Sequence, residues 1–301
     1  MLIEIKDLYQ HFNRGTPIEK EALSGVSLEI EAGEFVALIG ETGSGKTTLA
    51  LHLNGILIPT AGSVRVGDFV VGPDTKKTGA LTERVGLVFQ YPEHQLFEET
   101  VQKELKFGLR HKKERLNEKE IEMMVRRAAD LVNLDYDALK NRSPFTLSGG
   151  EQRKVAIASI LSVDPDILIF DEPTQGLDAE SRTETIGNIK ELNRKGKTII
   201  LISHVIEEII NAADRIIILR GGKVAADCPS SELFSDPEAE EHLGSFMPEV
   251  TELLIRLKER GWDVNTDTYK AEDALKEILS ALKGASGALK KNSATNSGSL
   301  L

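Results

Sequence analysis

Gly40-Glu41-Thr42-Gly43-Ser44-Gly45-Lys46-Thr47-Thr48 follows a short apolar run, Phe35-Val36-Ala37-Leu38-Ile39, and precedes a helix-forming stretch that starts at about Lys46. The apolar run reads as a buried parallel strand. The loop fits G-x-x-x-x-G-K-[ST], and its place between a strand and a helix is the context that gives the pattern meaning. Its glycines let successive backbone N–H groups turn inward as an anion nest. The helix that starts there adds the positive end of its dipole. Lys46 is placed to reach the β- and γ-phosphates of a bound nucleotide, Thr47 to put its hydroxyl on Mg²⁺, and Thr48 to donate to the α-phosphate. Glu41 is unfavourable beside phosphates, so its side chain is expected to point outward.

A second apolar strand, Ile167-Leu168-Ile169-Phe170, ends in Asp171-Glu172-Pro173. In open α/β sheets ligands sit at the carboxyl ends of strands. Asp171 is therefore placed to hold Mg²⁺, and Glu172, one residue further, to act as general base or orienter for an attacking water.

Around these two motifs the pattern alternates strand and helix. Val26–Ile30 alternates apolar and polar residues, and strands recur at Ile167–Phe170, Thr198–Ile202 and Arg215–Leu219, with helical patterns at 180–193 and 205–212 between them. Such βαβ alternation predicts a mainly parallel sheet covered by helices. The opening strands are expected to be antiparallel. Between Glu98 and Ser162 the periodicity is helical, with Val101, Leu105 and Leu109 on one face and Ile121, Val125, Ala128, Leu131 and Val132 on another. This predicts a helical subdomain at about 91–163 within a domain spanning 1–230. Residues 231–284 read as an appendix of two amphipathic helices, the second ending at Gly284. It is either a packing extension or, as we favour, a dimerisation surface. The Ser/Gly/Ala/Asn/Lys-rich tail 285–301 has the composition of a disordered segment.

Composition narrows the function. The 301 residues carry 37 Lys+Arg against 48 Asp+Glu, a net charge of −11, which argues against a protein whose main task is gripping nucleic acid. With 40% hydrophobic and 28% charged residues the chain is an ordinary globular sequence. Its one cysteine, Cys228, excludes an intramolecular disulfide. No stretch approaches the roughly 20 apolar residues of a membrane span, and the N-terminus lacks a signal-peptide pattern. A peripheral position on a membrane is compatible with both observations.

Thr146-Leu147-Ser148-Gly149-Gly150-Glu151-Gln152-Arg153 resembles the LSGGQ signature of ATP-binding-cassette (ABC) ATPases. The rest of that family's set follows in order: Gln90 is similar to the Q-loop glutamine, Gly176-Leu177-Asp178 to the D-loop, and His204 to the switch histidine. Phe12 stands where the family keeps an aromatic that stacks on adenine. The resemblance covers about residues 2–228. It implies a P-loop NTPase fold with ATP and Mg²⁺ as ligands. Lys46 and the loop Gly40–Thr48 would hold the phosphates, and Thr47, Gln90 and Asp171 would face the metal. Glu172, His204 and Gln90 would serve hydrolysis. Ser148, Gly149 and Gly150, opening a helix, would meet the ATP of a second subunit, with Asp178 coupling the two sites. Glu151 replaces the family's more usual Gln, and Gln175 stands where a small residue is commoner.

Gln90-Tyr91-Pro92-Glu93-His94-Gln95-Leu96-Phe97 is similar to the segment after the Q-loop in ATPases of energy-coupling-factor importers, as are Gly15-Thr16-Pro17 and the C-terminal appendix. That resemblance implies a transport motor on the cytoplasmic face of the cell membrane. Its implied partners are a second ATPase (copy or paralogue), a transmembrane coupling subunit docking near Gln90–Phe97 and a membrane substrate-binding subunit, with no nucleic acid. The competing readings are a soluble cassette ATPase in nucleic-acid or ribosome-associated work, and an inactive regulatory subunit. The single cassette and the acidic charge weigh against the former, and the intact Lys46, Asp171, Glu172 and His204 against the latter.

Overall fold

The computed structural model describes residues 3–110, 112, 116–234 and 239–295. The chain begins with β1 (Ile3–Phe12), β2 (Lys20–Ile30), β3 (Phe35–Ile39), α1 (Lys46–Leu53), β4 (Ala61–Val66), β5 (Phe69–Val71), α2 (Gly79–Thr82) and β6 (Val85–Val88). A helical stretch follows: α3 (Val101–Arg110), α4 (Glu118–Leu131), α5 (Tyr136–Leu139) and α6 (Gly149–Ser162). Then come β7 (Ile167–Asp171), α7 (Ala179–Arg194), β8 (Thr198–Ile202), α8 (Ile206–Ile210), β9 (Arg215–Arg220) and β10 (Lys223–Pro229). The described chain closes with α9 (Ala239–Leu243), α10 (Glu249–Glu259) and α11 (Ala271–Thr295).

Two sheets result. The larger has the order β10-β9-β3-β8-β7-β6, in which β9, β3, β8, β7 and β6 run parallel and β10 is an antiparallel edge. The smaller is antiparallel, in the order β2-β1-β4-β5. Every residue of β3, β6, β7 and β8 is buried. That is the consequence of a parallel sheet covered on both faces, and it explains why these strands read as continuous apolar runs.

Alternation along β3 divides the interior into two layers. Phe35, Ala37 and Ile39 face a core shared with the helical stretch, including Leu105, Val125, Val155 and Leu161. Val36 and Leu38 face the other side, against Leu49 and Leu53 of α1 and against Ile3, Ile5, Val64 and Val66 of the antiparallel sheet. The helix that follows the phosphate-binding loop is thus clamped between two sheets. In the helical stretch, Val101, Leu105 and Leu109 of α3 and Ile121, Val125 and Ala128 of α4 are buried at the helical spacing read from the sequence.

The C-terminal appendix has its own small core of Leu254, Val264 and Ala274, with Val250, Leu257, Trp262 and Ile278 packed against it. α11 does not end at Gly284 but runs on to Thr295, so the reading of 285–301 as a disordered tail is corrected for 285–295. The reason lies in residue types: three alanines, two lysines and Leu289 there are strong helix formers, and an interior glycine costs only about 1 kcal/mol against alanine. Residues 296–301 lie outside the described residues.

Candidate nucleotide-binding and hydrolysis site

Three neighbouring parallel strands deliver the site. β3 ends in the phosphate-binding loop, β7 in Asp171, and β8 in the segment leading to His204. Because β3, β8 and β7 are adjacent and parallel, all three carboxyl ends meet on one edge of the sheet.

The loop needs glycine for steric reasons at two places. Gly40 has φ 147°, and a Cβ there would stand 2.1 Å from the Leu219 carbonyl oxygen. Gly45 has φ 108°, and its Cβ would stand 2.7 Å from the Ala22 carbonyl oxygen. Strand β9 and strand β2 therefore press against the loop backbone from two sides. Gly43 has positive φ as well. Glu41 and Thr42 are exposed, while Ser44 is buried with its Oγ unpartnered among the described residues.

Lys46 opens α1 and donates from Nζ to the carbonyl oxygens of Gly40 at 2.6 Å and Glu41 at 3.0 Å. Burial holds its ammonium below the usual lysine value, opposed by the carboxylates of Glu172 and Asp171. Thr47 Oγ1 donates to Asp171 Oδ2 at 2.8 Å. Burial pushes the Asp171 carboxyl up and the charge of Glu172 adds to this, with the Thr47 hydrogen bond and Lys46 acting in the other direction. Glu172 adopts φ 52°, a left-handed conformation uncommon for a non-glycine residue. Its N–H donates to the Ile202 carbonyl at 2.9 Å, tying it to the end of β8. Its Oε2 lies 2.7 Å from His204 Nδ1.

Phe12 closes β1 and lines one cleft with Gly43, Gly45, Lys46, Thr47 and Thr48 of the loop. Gln90, after β6, donates from Nε2 to Gln175 Oε1. The structure thus brings together Phe12, the loop, Asp171, Glu172 and His204, and it pins Gln90 to Gln175.

Ser148, Gly149 and Gly150 stand elsewhere. They are exposed at the N-terminus of α6, and no hydrogen bond among the described residues joins them to the loop. Ser148 is the N-cap of α6 in a reciprocal capping box with Glu151: its Oγ donates to Glu151 Oε2 at 2.8 Å and its N–H donates to the same oxygen at 2.9 Å. These hydrogen bonds hold the Glu151 carboxyl below its usual value, the Ser148 backbone donor first. Asp178 is likewise an N-cap, accepting from the Ser181 N–H at 2.8 Å at the start of α7.

Sequence reasoning missed several residues of the site. Lys20, the first residue of β2, lines the same cleft as Phe12. Arg153 of α6 donates to the Pro173 carbonyl, next to Glu172. The Gln90–Gln175 pair went unseen because it joins residues 85 positions apart. The cross-strand register of β1 and β2 was the signal that could have found Lys20.

Comparisons with known proteins show the family. The profile of the ABC transporter family matches residues 23–175. The chain is 43% identical over 280 residues to the energy-coupling factor transporter ATP-binding protein EcfA2 of Clostridium tetani, covering 93% of this chain and 96% of that one. The corresponding Clostridium perfringens protein is 42% identical over 283 residues, covering 93% and 99%. Among solved structures, cbiO1 of Clostridium perfringens, part of the ABC transporter complex cbiONQ, superposes with TM-score 0.69 at 31% identity, covering 84% of this chain and 98% of that chain. A dimeric ATP-binding cassette in a post-hydrolysis state with ADP and phosphate superposes with TM-score 0.67 at 28% identity, covering 76% and 98%.

Proposed function

This chain belongs to the ABC transporter family, and on that premise we propose how its site binds and hydrolyses ATP to energise an importer of the energy-coupling-factor type. The protein is an ATPase that works with a second ATPase subunit and with membrane components. No helix among the described residues is long and apolar enough to cross a membrane. Its proposed membrane association runs through those partners, at the cytoplasmic face.

Phe12 stacks on the adenine, the loop N–H groups and Lys46 hold the phosphates, and Thr48 donates to the α-phosphate. The residues present fit Mg²⁺. Thr47 Oγ1 and Asp171 Oδ2 converge within 2.8 Å, and they are the hard oxygen donors this ion prefers. Thr47 and Asp171, with Gln90, would hold it, and when bound it neutralises charge on the β- and γ-phosphate oxygens. Glu172 orients the attacking water and accepts its proton. His204 fixes the Glu172 carboxylate and reaches the γ-phosphate side of the site. The single observation that carries this reading is the convergence of Lys46, the Thr47–Asp171 pair and the Glu172–His204 pair at the ends of three adjacent strands.

Ser148, Gly149 and Gly150 complete the site of the second subunit. Their exposure at a helix start, away from the loop of their own chain, supports that role. ATP then draws the two subunits together, and loss of the γ-phosphate lets them part. Asp178 links the two sites across the interface. The exposed Leu275, Leu279 and Leu282 of α11 support the appendix as an added contact between ATPase subunits. The membrane coupling subunit docks beside Gln90–Phe97. There the exposed Phe97 and Phe107 meet edge to face at 4.8 Å, beside a cavity of about 320 Å³. A membrane substrate-binding protein selects the cargo.

The test is Glu172→Gln in the assembled transporter, assayed for ATP hydrolysis and substrate uptake. Both are expected to be lost while ATP binding persists. Wild-type hydrolysis in that variant would contradict the assignment of the base.

A further inference from the structure

The hairpin that joins β1 to β2 turns through 13–19 and brings Lys20 back directly opposite Phe12. Directly opposed residues of an antiparallel pair share a face, so Lys20 and Phe12 project together, and Ala22 lies unpaired at the register shift between Glu21 and Leu23. All three line the cleft over the phosphate-binding loop. The neighbouring acids take the other side. His11 pairs with Glu21 across the strands and lies 3.3 Å from a Glu19 carboxylate oxygen and 3.5 Å from one of Glu21. Glu19 also accepts the Gly15 N–H at 2.8 Å. The two carboxylates that flank Lys20 in sequence are thus turned to His11 and the hairpin, and no ion pair among the described residues engages Lys20 itself. Its ammonium approaches the middle of the loop instead: a Cβ on Gly43 would lie 4.0 Å from Lys20 Nζ.

Lys46 and Lys20 therefore address the loop from opposite sides. Lys46 reaches in from the start of α1, and Lys20 reaches in from the wall that carries Phe12. A nucleotide whose base lies against Phe12 and whose terminal phosphates lie at Lys46 must pass its α-phosphate, where the sugar joins the chain, beneath Lys20. We propose that Lys20 is a nucleotide-binding residue that contacts the α-phosphate of the bound adenine nucleotide. This inference rests on the reading of the cleft as the ATP site. It adds a positive charge that serves ATP and ADP alike and so sets general nucleotide affinity, leaving discrimination between them to the γ-phosphate side.

The test is calorimetric titration of the full chain with ADP and with ATP, comparing wild type, Lys20→Ala and Lys20→Arg. Lys20→Ala removes a charge-assisted hydrogen bond and is expected to weaken both nucleotides by the same factor, about tenfold, with most of the affinity restored in Lys20→Arg. ADP affinity within twofold of wild type in Lys20→Ala would overturn the proposal, and a loss confined to ATP would overturn the α-phosphate assignment. Lys20 is exposed, so the thermal midpoint is expected to hold. If Lys20→Ala melts early, Lys20→Gln, which keeps a long polar side chain, is read by the same two outcomes. Undiminished ADP binding in Lys46→Ala would contradict the location of the ATP site itself, a separate result from the Lys20 comparison.

Discussion

His204 Nδ1 lies 2.7 Å from Glu172 Oε2, across the gap between the ends of β8 and β7. Glu172 reaches this position through a left-handed backbone and an N–H anchored on Ile202. Such strain costs of order 1–3 kcal/mol and persists where the surroundings enforce it. His204→Ala removes the side chain that fixes the carboxylate. Its kcat is expected to fall by roughly 10–100-fold with KM for ATP little changed, the pattern of an interaction made only in the transition state. Steady-state ATPase assays on the assembled complex read the split, and a change confined to KM would speak against the role given to His204.

Asp171 sets stability against function. Burial and the neighbouring Glu172 raise its pKa in the folded chain, so between its unfolded and folded pKa values the folded state binds more protons. Stability therefore falls as pH rises through that window, and the deficit is fully present above it. Asp171→Asn removes the charge and keeps an acceptor for Thr47. The thermal midpoint of the nucleotide-free protein at neutral pH is expected to rise by about 2–4 °C for each kcal/mol relieved, while Mg²⁺-dependent hydrolysis is lost. Differential scanning fluorimetry across pH checks the sign.

The loop tolerates no side chain at Gly40. A Cβ would sit 2.1 Å from a backbone oxygen of β9, and neither strand nor loop can yield without moving the sheet. Gly40→Ala is expected to destabilise the fold by about 1–3 kcal/mol and to abolish ATP binding. Chemical denaturation and calorimetry give the two numbers.

Glu151 places a carboxylate beside Ser148, at the helix start proposed to meet the ATP of the second subunit. Glu151→Gln keeps the capping-box geometry and removes the charge. In a Glu172→Gln background it is expected to lower the ATP concentration needed for subunit association. Glu151→Ala breaks the box and is expected to cost about 1 kcal/mol of stability. Light scattering and thermal melts separate the two effects.

The segment proposed to meet the membrane coupling subunit is held from within. Glu104, buried on α3, accepts the N–H groups of Phe97 at 3.1 Å and Glu98 at 2.9 Å through one carboxylate oxygen. Phe97 itself is 57% exposed, so one face of the ring that packs edge-on against Phe107 stays open to a partner. Phe97→Asp is expected to reduce co-purification with the membrane coupling subunit at least several-fold while leaving the affinity for ATP unchanged.

Much of this was legible in the sequence because the chemistry is local. Gly40–Thr48 and Ile167–Glu172 each carry strand, turn and reactive residue within a few positions, and the strand–helix alternation dictates that their carboxyl ends coincide. What escaped depends on distant register or on competition within one side chain. Lys20 joins the cleft only because a hairpin returns it opposite Phe12, and Gln90 meets Gln175 only because β6 and β7 are neighbours. Ser148 and Asp178 read as groups reaching across an interface, yet in this conformation both also cap their own helices, a use that sequence spacing left undecided. The far end of α11 was misread because small polar residues suggest disorder by composition, while their intrinsic helix preference depends on the alanines, leucine and lysines among them.

In the proposed cycle ATP joins this subunit to a second ATPase, with Ser148–Gly150 of one chain closing over the phosphate-binding loop of the other. Sedimentation of the Glu172→Gln protein, alone and mixed with the ATPase that co-purifies with it, tests this directly. The expected result is a two-subunit species that forms with ATP, dissolves with ADP, and is abolished when Ser148 is replaced by Arg. Persistence of separate subunits under saturating ATP, with nucleotide bound to each, would contradict the claim.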